Sequence, residues 1–312
     1  MLPSPAQVCE ARRIIAGSAI RTPLVRLNAA DPVAEIYLKL ENLQPHRIIQ
    51  DSWRAKRDGR MPRETFARGV LTASAGNMAQ GVAWCAREFG IPCTVVAPET
   101  KIKAVERPGG RVLKVPFDEW WRTFEQRSYP GVDAAFIHAF DDLEVMAGNG
   151  TIGLAILEDQ PEVDAVIIPW GSGELTCGIA SVLRALLKIY VAEVATAAPL
   201  APSLAAGSPK GITYQPSFVD GIGGKSVFPQ MLERARGLID GSLVAELDEV
   251  ADAVRLLAER NRVVAEGAGA CPAARALKRG AGVGKIVCVV SGGNIDLSTL
   301  CAILTNPPST SR

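Results

Sequence analysis

Three apolar runs in this chain end in turns of small residues, and each belongs to a segment where strand-like and helix-like stretches alternate. Val70-Leu71-Thr72-Ala73-Ser74 leads into Ala75-Gly76-Asn77. Ala165-Val166-Ile167-Ile168-Pro169 leads into Gly171-Ser172-Gly173-Glu174, and Lys285 to Val290 into Ser291-Gly292-Gly293-Asn294. Strands that alternate with helices imply α/β layers and a mainly parallel sheet. In such sheets ligands lie beyond the carboxyl ends of the strands. The three turns sit at those ends, so the pattern that sets the fold class also marks where a ligand goes.

The remaining stretches keep the rhythm. Ser4 to Ala16 has helical spacing, Thr22 to Leu27 is extended, and Glu35 to Glu41 alternates as a strand. Helices are expected over 77–89, 118–126, 175–187, 250–261 and 270–278, with another capped by Asp141-Asp142 and carrying Glu144 in its first turn. Strands are expected over 92–97, 111–115, 136–140 and 188–193. Ala197 to Gly211, rich in Pro, Ala, Ser and Gly, reads as a loop, and Arg47 to Arg68 has no clean period.

Composition removes several function classes. The 312 residues carry a net charge of +1, so nothing draws the chain to nucleic acid or to an anionic membrane. No apolar run approaches the ~20 residues of a membrane span. Met1 to Pro5 lacks the basic start of a signal peptide. The 7 cysteines are scattered without a CxxC pair and read as reduced, mostly buried thiols of a cytoplasmic protein. Only 2 histidines, His46 and His138, argue against a zinc hydrolase site, and no metal is expected.

Each turn has a plain and a chemical reading. Glycines in Gly171-Ser172-Gly173 let backbone N–H groups approach an anion at a helix start, or they serve a tight strand-to-helix turn. Glu174 counts against the anion unless its carboxylate points away. Asn77 can cap a helix. Glu266-Gly267-Ala268-Gly269 can be the beginning of another helix. Ser291 puts a hydroxyl at a strand end.

Taken together with Glu41-Asn42-Leu43-Gln44-Pro45, the turns occur in an order that resembles the fold-type-II pyridoxal-phosphate family, in its threonine/serine dehydratase and serine racemase branch. The resemblance covers about Ile20 to Leu304, and Ala147-Gly148-Asn149-Gly150-Thr151 fits it too. It implies two α/β domains, each with a mainly parallel sheet, and a cofactor cleft between them. Residues 1–42 and 146–312 would form the large cofactor domain and 43–145 the small mobile domain. It implies pyridoxal 5'-phosphate as cofactor, a small amino acid as substrate and a homodimer. Asn77 would bond the cofactor's ring oxygen, and Ser74, Ala75 and Gly76 the substrate carboxylate. Gly171, Ser172, Gly173, Glu174 and Leu175 would hold the phosphate. Glu266 would line the cofactor, and Ser291 would face the pyridine nitrogen, where a neutral hydroxyl suits loss of a β-hydroxyl better than transamination. Alanine at position 75 cannot move protons, which favours elimination over racemisation. Of the family's metal ligands Glu193 matches one, but Pro199 stands where a second carboxylate is expected.

One landmark is missing. The family continues after Gln-Pro with Thr-Gly-Ser-Phe-Lys-x-Arg-Gly-Ala, and here Gln50 occupies the place of the lysine that holds the cofactor and shuttles the α-proton. Glutamine does neither. His46 to Arg54 can be encoded CAC CGG ATC ATT CAA GAT TCG TGG CGC. Dropping the first base gives ACC GGA TCA TTC AAG ATT CGT GGC, which reads Thr-Gly-Ser-Phe-Lys-Ile-Arg-Gly. These codons are a choice among synonyms. The hypothesis is a one-base frame slip near codon 46, restored near Met61 to Arg63, and it also accounts for the lost periodicity. A recording error, a decaying gene and an evolved inactive relative are its three origins; Glu174 and the abrupt Glu99-Thr100-Lys101 junction favour decay. Resequencing codons 46 to 60 decides: if this frame is confirmed, recording error is ruled out.

Overall fold

The computed structural model describes residues 1–16, 19–29, 34–44, 67–74, 76–88, 90–98, 110–138 and 142–306. Gln50, with the rest of His46 to Arg60, and Ala75 lie outside the described residues. The chain divides into two compact units, Met1–Ile20 with Gln44–Thr151 and Arg21–Leu43 with Ile152–Arg312. The sequence reading groups 1–42 with 146–312, whereas the contacts assign Met1–Ile20 to the other unit. There the Gln44 side-chain amide bonds both the N–H of Ile20 at 3.1 Å and its carbonyl at 2.7 Å.

The first unit starts with helix α1 (Pro5–Ile15), opened by a capping box of Ser4 and Gln7 and burying Val8, Ala11 and Ile15 as its spacing requires. Its sheet contains β3 (Val70–Ala73), β4 (Cys93–Pro98), β5 (Arg111–Val115) and β6 (Ala135–Phe136), ordered β5-β4-β3-β6 and parallel throughout. Helix α2 (Asn77–Glu88) lays Val82, Cys85 and Ala86 against Val70 and Ile137. Helix α3 (Phe117–Gln126) covers Leu71, Val96 and Val115 with Trp120. Helix α4 (Leu143–Asp159) is capped by Asp142, whose carboxylate accepts the N–H groups of Glu144 and Val145.

The second unit is built on β1 (Leu24–Arg26), β2 (Glu35–Lys39), β7 (Ala165–Pro169), β8 (Lys188–Val194), β9 (Gly241–Ala245) and β10 (Lys285–Val289). Their order is β1-β2-β10-β7-β8-β9, with β1 antiparallel and the rest parallel. Every residue of β7 is buried, which is why its sequence is continuous rather than alternating. One face of the sheet, with Ile36, Leu38, Ile167 and Ile286, packs on Val250, Val254, Ala270 and Ala274 of α8 (Leu247–Leu256) and α9 (Gly267–Leu277). Each such aliphatic side chain contributes roughly 1.5–3 kcal/mol on burial. None of the described helices is long and apolar enough to cross a membrane.

Some elements depart from the expected ones. Helix α5 is Glu174–Leu183, ending earlier than position 187. Ala197 to Gly211 is not a loop, because it contains helix α6 (Leu200–Ala206). The carboxylate of Glu193, at the end of β8, accepts the Leu200 N–H at 2.8 Å and the Ala201 N–H at 2.9 Å. The signal for this helix start therefore lies seven residues upstream, in a strand, where local composition does not report it. Helix α7 (Pro229–Leu238), strand β9 and helix α10 (Leu297–Thr305) were not singled out from the sequence.

Candidate active site

The second unit brings the turns after β2, β7 and β10 to the same end of three adjacent parallel strands. After β7 the chain passes through Trp170, 1% exposed, whose N–H bonds the Ala192 carbonyl at 2.9 Å. Gly173 then adopts φ 91°, and a Cβ there would lie 2.5 Å from the Trp170 ring. Both conditions require glycine. Helix α5 starts at the next residue, and its cap residue, Gly173, has no side chain to cap the first turn. Glu174 is buried in that turn, as is Thr176, whose Oγ1 has no hydrogen-bond partner. Cys177 follows, its thiol pushed up to about 12 by burial, which leaves it inert as a nucleophile.

A continuous series of close approaches runs from this turn across the strand ends. A Cβ on Gly171 would stand 3.6 Å from the Gly221 carbonyl oxygen. One on Gly221 would stand 3.0 Å from Ala268 Cβ and 3.1 Å from Glu266 Oε1. The Glu266 N–H donates to the Gly292 carbonyl at 3.1 Å. Gly269 faces the same carbonyl, and Gly293 lies against the Val264 carbonyl and Asn42 Cβ. Asn42 closes the series: its N–H bonds the Val290 carbonyl at 2.8 Å and its Nδ2 the Val264 carbonyl at 3.1 Å. Ser291 is buried between these contacts. Thus Gly171 to Leu175, Glu266 and Ser291 lie along one rim, with Gly221 and Asn42 beside them. Gly221 was missed in the sequence; the Asp220-Gly221 pair marks a turn, but no periodic segment flags its place.

In the first unit, Ser74 follows β3 and Asn77, 9% exposed, begins α2. Gly76 between them is exposed, and a Cβ on it would meet nothing within 4 Å.

The sequence pattern described as pyridoxal-phosphate dependent enzyme matches residues 15–292. This chain belongs to that family. Among relatives of the pyridoxal-phosphate enzyme, the L-threonine ammonia-lyase of Thermotoga maritima is 35% identical over 307 residues, 95% of this chain and 76% of that protein. The L-threonine ammonia-lyase of Geobacter sulfurreducens is 38% identical over 280 residues, 86% of this chain and 69% of that protein. The structure of maize serine racemase superposes with a TM-score of 0.86 at 27% identity, covering 97% of each chain. The family's cofactor is pyridoxal phosphate.

The residues present fit the phosphate end of such a cofactor. The first turn of α5 opens behind Gly173, a cap residue that has no side chain to occupy the space in front of the helix start. Backbone N–H groups at such a start are donors suited to an oxyanion. Glu174, in the same turn, is the feature that opposes it. At Glu193 the donor set suits a helix cap. Oε1 takes the Leu200 N–H, and Oε2 takes the Ala201 N–H and the Ser242 hydroxyl at 2.6 Å. Burial raises this carboxyl's pKa, and the three hydrogen bonds pull it back down.

Proposed function

We propose that this chain is built for the β-elimination of a small 3-hydroxy amino acid such as serine or threonine, giving a 2-oxo acid and ammonia. The observation that carries it is the rim formed by the α5 turn, Gly221, Glu266 and Ser291 at the carboxyl ends of β2, β10 and β7. The ammonia-lyase relatives at 35% and 38% identity support this reaction class.

Pyridoxal phosphate, when bound, supplies electron withdrawal from the substrate's α-carbon. Gly171 to Leu175 and the first turn of α5 would hold its phosphate, and Glu266 and Ser291 would line its ring. The Ser291 hydroxyl is neutral and would leave the ring nitrogen largely unprotonated. Asn77 would orient the ring oxygen, while Ser74, Ala75 and Gly76 would bind the substrate carboxylate through hydroxyl and backbone groups. Alanine at position 75 has no proton to give, which keeps the chemistry on one face. The α-proton must go to an amine at position 50, and Gln50 has no basic nitrogen. The same reading carries a homodimer in the cytoplasm, which sedimentation of the purified chain tests.

Gln50 favours a second reading, a relative that binds the cofactor or another ligand without turnover. One experiment separates the two. The chain as written should be colourless as purified and inactive on L-serine and L-threonine. Restoring the shifted frame from residue 46 to residues 61–63, so that it opens Thr-Gly-Ser-Phe-Lys-Ile-Arg-Gly, should give a yellow protein that borohydride fixes and that releases 2-oxo acid. A restored motif with neither colour nor turnover sinks the lyase reading. The single change Gln50→Lys should not rescue activity, because Ile48, Ile49, Ser52 and Trp53 also depart from the motif. Full activity from that change alone would refute the frame slip.

A further inference from the structure

A carboxylate sits where an anion is expected to bind. Glu174 opens α5 and is 4% exposed. Burying a carboxylate is strongly disfavoured unless a cation or hydrogen-bond donors meet it. What meets Glu174 therefore decides whether the turn repels a phosphate.

Helix α7 packs beside α5 and brings a cation to this point. A Cβ on Gly173 would lie 2.9 Å from Met231 Cε, and Met231 is 1% exposed. Met231 Sδ in turn accepts from Arg234 Nη1 at 3.2 Å. The guanidinium of half-buried Arg234 thus stands one thioether away from the residue that precedes Glu174. Glu174 and Cys177 are three apart and share a face of α5, as Met231 and Arg234 share a face of α7. Burial is the main cause of the raised Cys177 pKa, and the charges of Arg234 and Glu174 both reach the same thiol. Arg236, two residues on, lies against Gly207 instead, its Nη2 2.6 Å from where a Cβ there would be.

We infer that Arg234 is the counter-charge of Glu174, holding its carboxylate on the α7 side of α5 and off the turn that takes the phosphate. An ion pair at the helix start leaves no net negative charge there to oppose an anion. Arg234 is thus a positioning residue for phosphate binding, acting through Glu174. The inference rests on the lyase reading, since the phosphate is the cofactor's. It also recasts Glu174, a sign of decay in the sequence, as a compensated change. The sequence does not reveal the pair, because its members are far apart in the chain.

The test is a double-mutant cycle on the purified full chain. Arg234→Met keeps an apolar stem and removes the positive charge, and Glu174→Gln removes the negative one. Melting temperature without ligand reads the pair itself. Equilibrium dialysis with pyridoxal 5'-phosphate, inorganic phosphate and pyridoxal reads its role. Expected for Arg234→Met is a lower melting temperature and a loss of at least about tenfold in affinity for both phosphate-bearing probes, with pyridoxal unchanged. Adding Glu174→Gln to Arg234→Met should restore phosphate binding to the parent's level and regain most of the melting temperature. Should Arg234→Met fail to fold, a folded double variant demonstrates the same coupling, and an unfolded one overturns the pair. Additive effects on melting temperature overturn it too, while the lyase reading stands. Coupled melting temperatures with phosphate binding unmoved by Arg234→Met overturn the positioning role. If the parent binds neither phosphate-bearing probe, the lyase reading falls and the role in phosphate binding falls with it, whereas the melting cycle still decides the pair.

Discussion

A Cβ built on Gly76 meets nothing within 4 Å, whereas one built on Gly269 would sit 2.6 Å from the Gly292 carbonyl oxygen. The two glycines belong to small-residue stretches at helix starts in different units, Gly76 just before α2 and Gly269 in the first turn of α9. In the second unit, Gly173, Gly221, Gly269 and Gly293 are each pressed by a ring, a carboxylate or a backbone carbonyl of their own unit. Packing alone accounts for them, so they argue for the fold that shapes the rim. Among the described residues of the first unit, none packs so closely as to demand glycine at position 76. Its bare backbone argues for something outside the unit's own packing, and a substrate carboxylate is the candidate. Similar small-residue helix starts therefore carry different information, and substitution can separate them.

The largest effect is expected where the rim's unit relies on a buried carboxylate. Glu193→Ala leaves the Leu200 and Ala201 N–H groups and the Ser242 hydroxyl without their acceptor, beside a new cavity. A loss of about 4 kcal/mol in urea-unfolding stability should follow. Its pH dependence has a definite sign. The folded pKa of Glu193 is raised above the ordinary carboxyl value of 4.5, chiefly by burial. The group's stabilising contribution is thus fully present below that value and falls as pH rises through the folded pKa. The stability difference between the parent and Glu193→Gln should therefore shrink as pH is raised from the unfolded toward the folded pKa. A difference that grows with pH would mean that the three hydrogen bonds outweigh burial.

Next comes Gly173→Ala, which adds both φ strain and a contact 2.5 Å from the buried Trp170 ring. About 3 kcal/mol is expected, read from the same unfolding curves. Gly269→Ala follows at about 2 kcal/mol: the clash with a backbone carbonyl is partly offset by alanine's better helix propensity. If either variant were as stable as the parent, packing would not explain these glycines, and the contrast with Gly76 would vanish.

How much of this was legible in the sequence depended on how local the cause was. Strands β7 and β10 are buried runs flanked by turns, and their own residues announce them. The turns at 171–175 and 291 follow those strands directly, whereas Glu266 stands at a helix entry and was singled out only through the family resemblance. Helix α6 was read as a loop because its start is capped from β8, through Glu193. Gly221 was missed because it matters through Glu266 and Ala268, residues far along the chain. The frame-slip reading of residues 46–60 was legible only as codons, and it lies outside the described residues.

The smallest stability effect belongs to the other side of the comparison. Gly76→Ala places a methyl in open space at an exposed position that does not have positive φ, so unfolding should shift by less than about 0.5 kcal/mol. Its functional effect should be large by contrast. If the bare backbone at 76 receives the substrate carboxylate, the methyl occupies that space. In the motif-restored chain, KM for L-threonine should then rise at least about tenfold while binding of pyridoxal 5'-phosphate is unchanged. The split matters, because a general disturbance of the turn would also move Asn77 and with it the cofactor. An unchanged KM would show that Gly76, like its counterparts in the second unit, answers to the fold and not to a ligand.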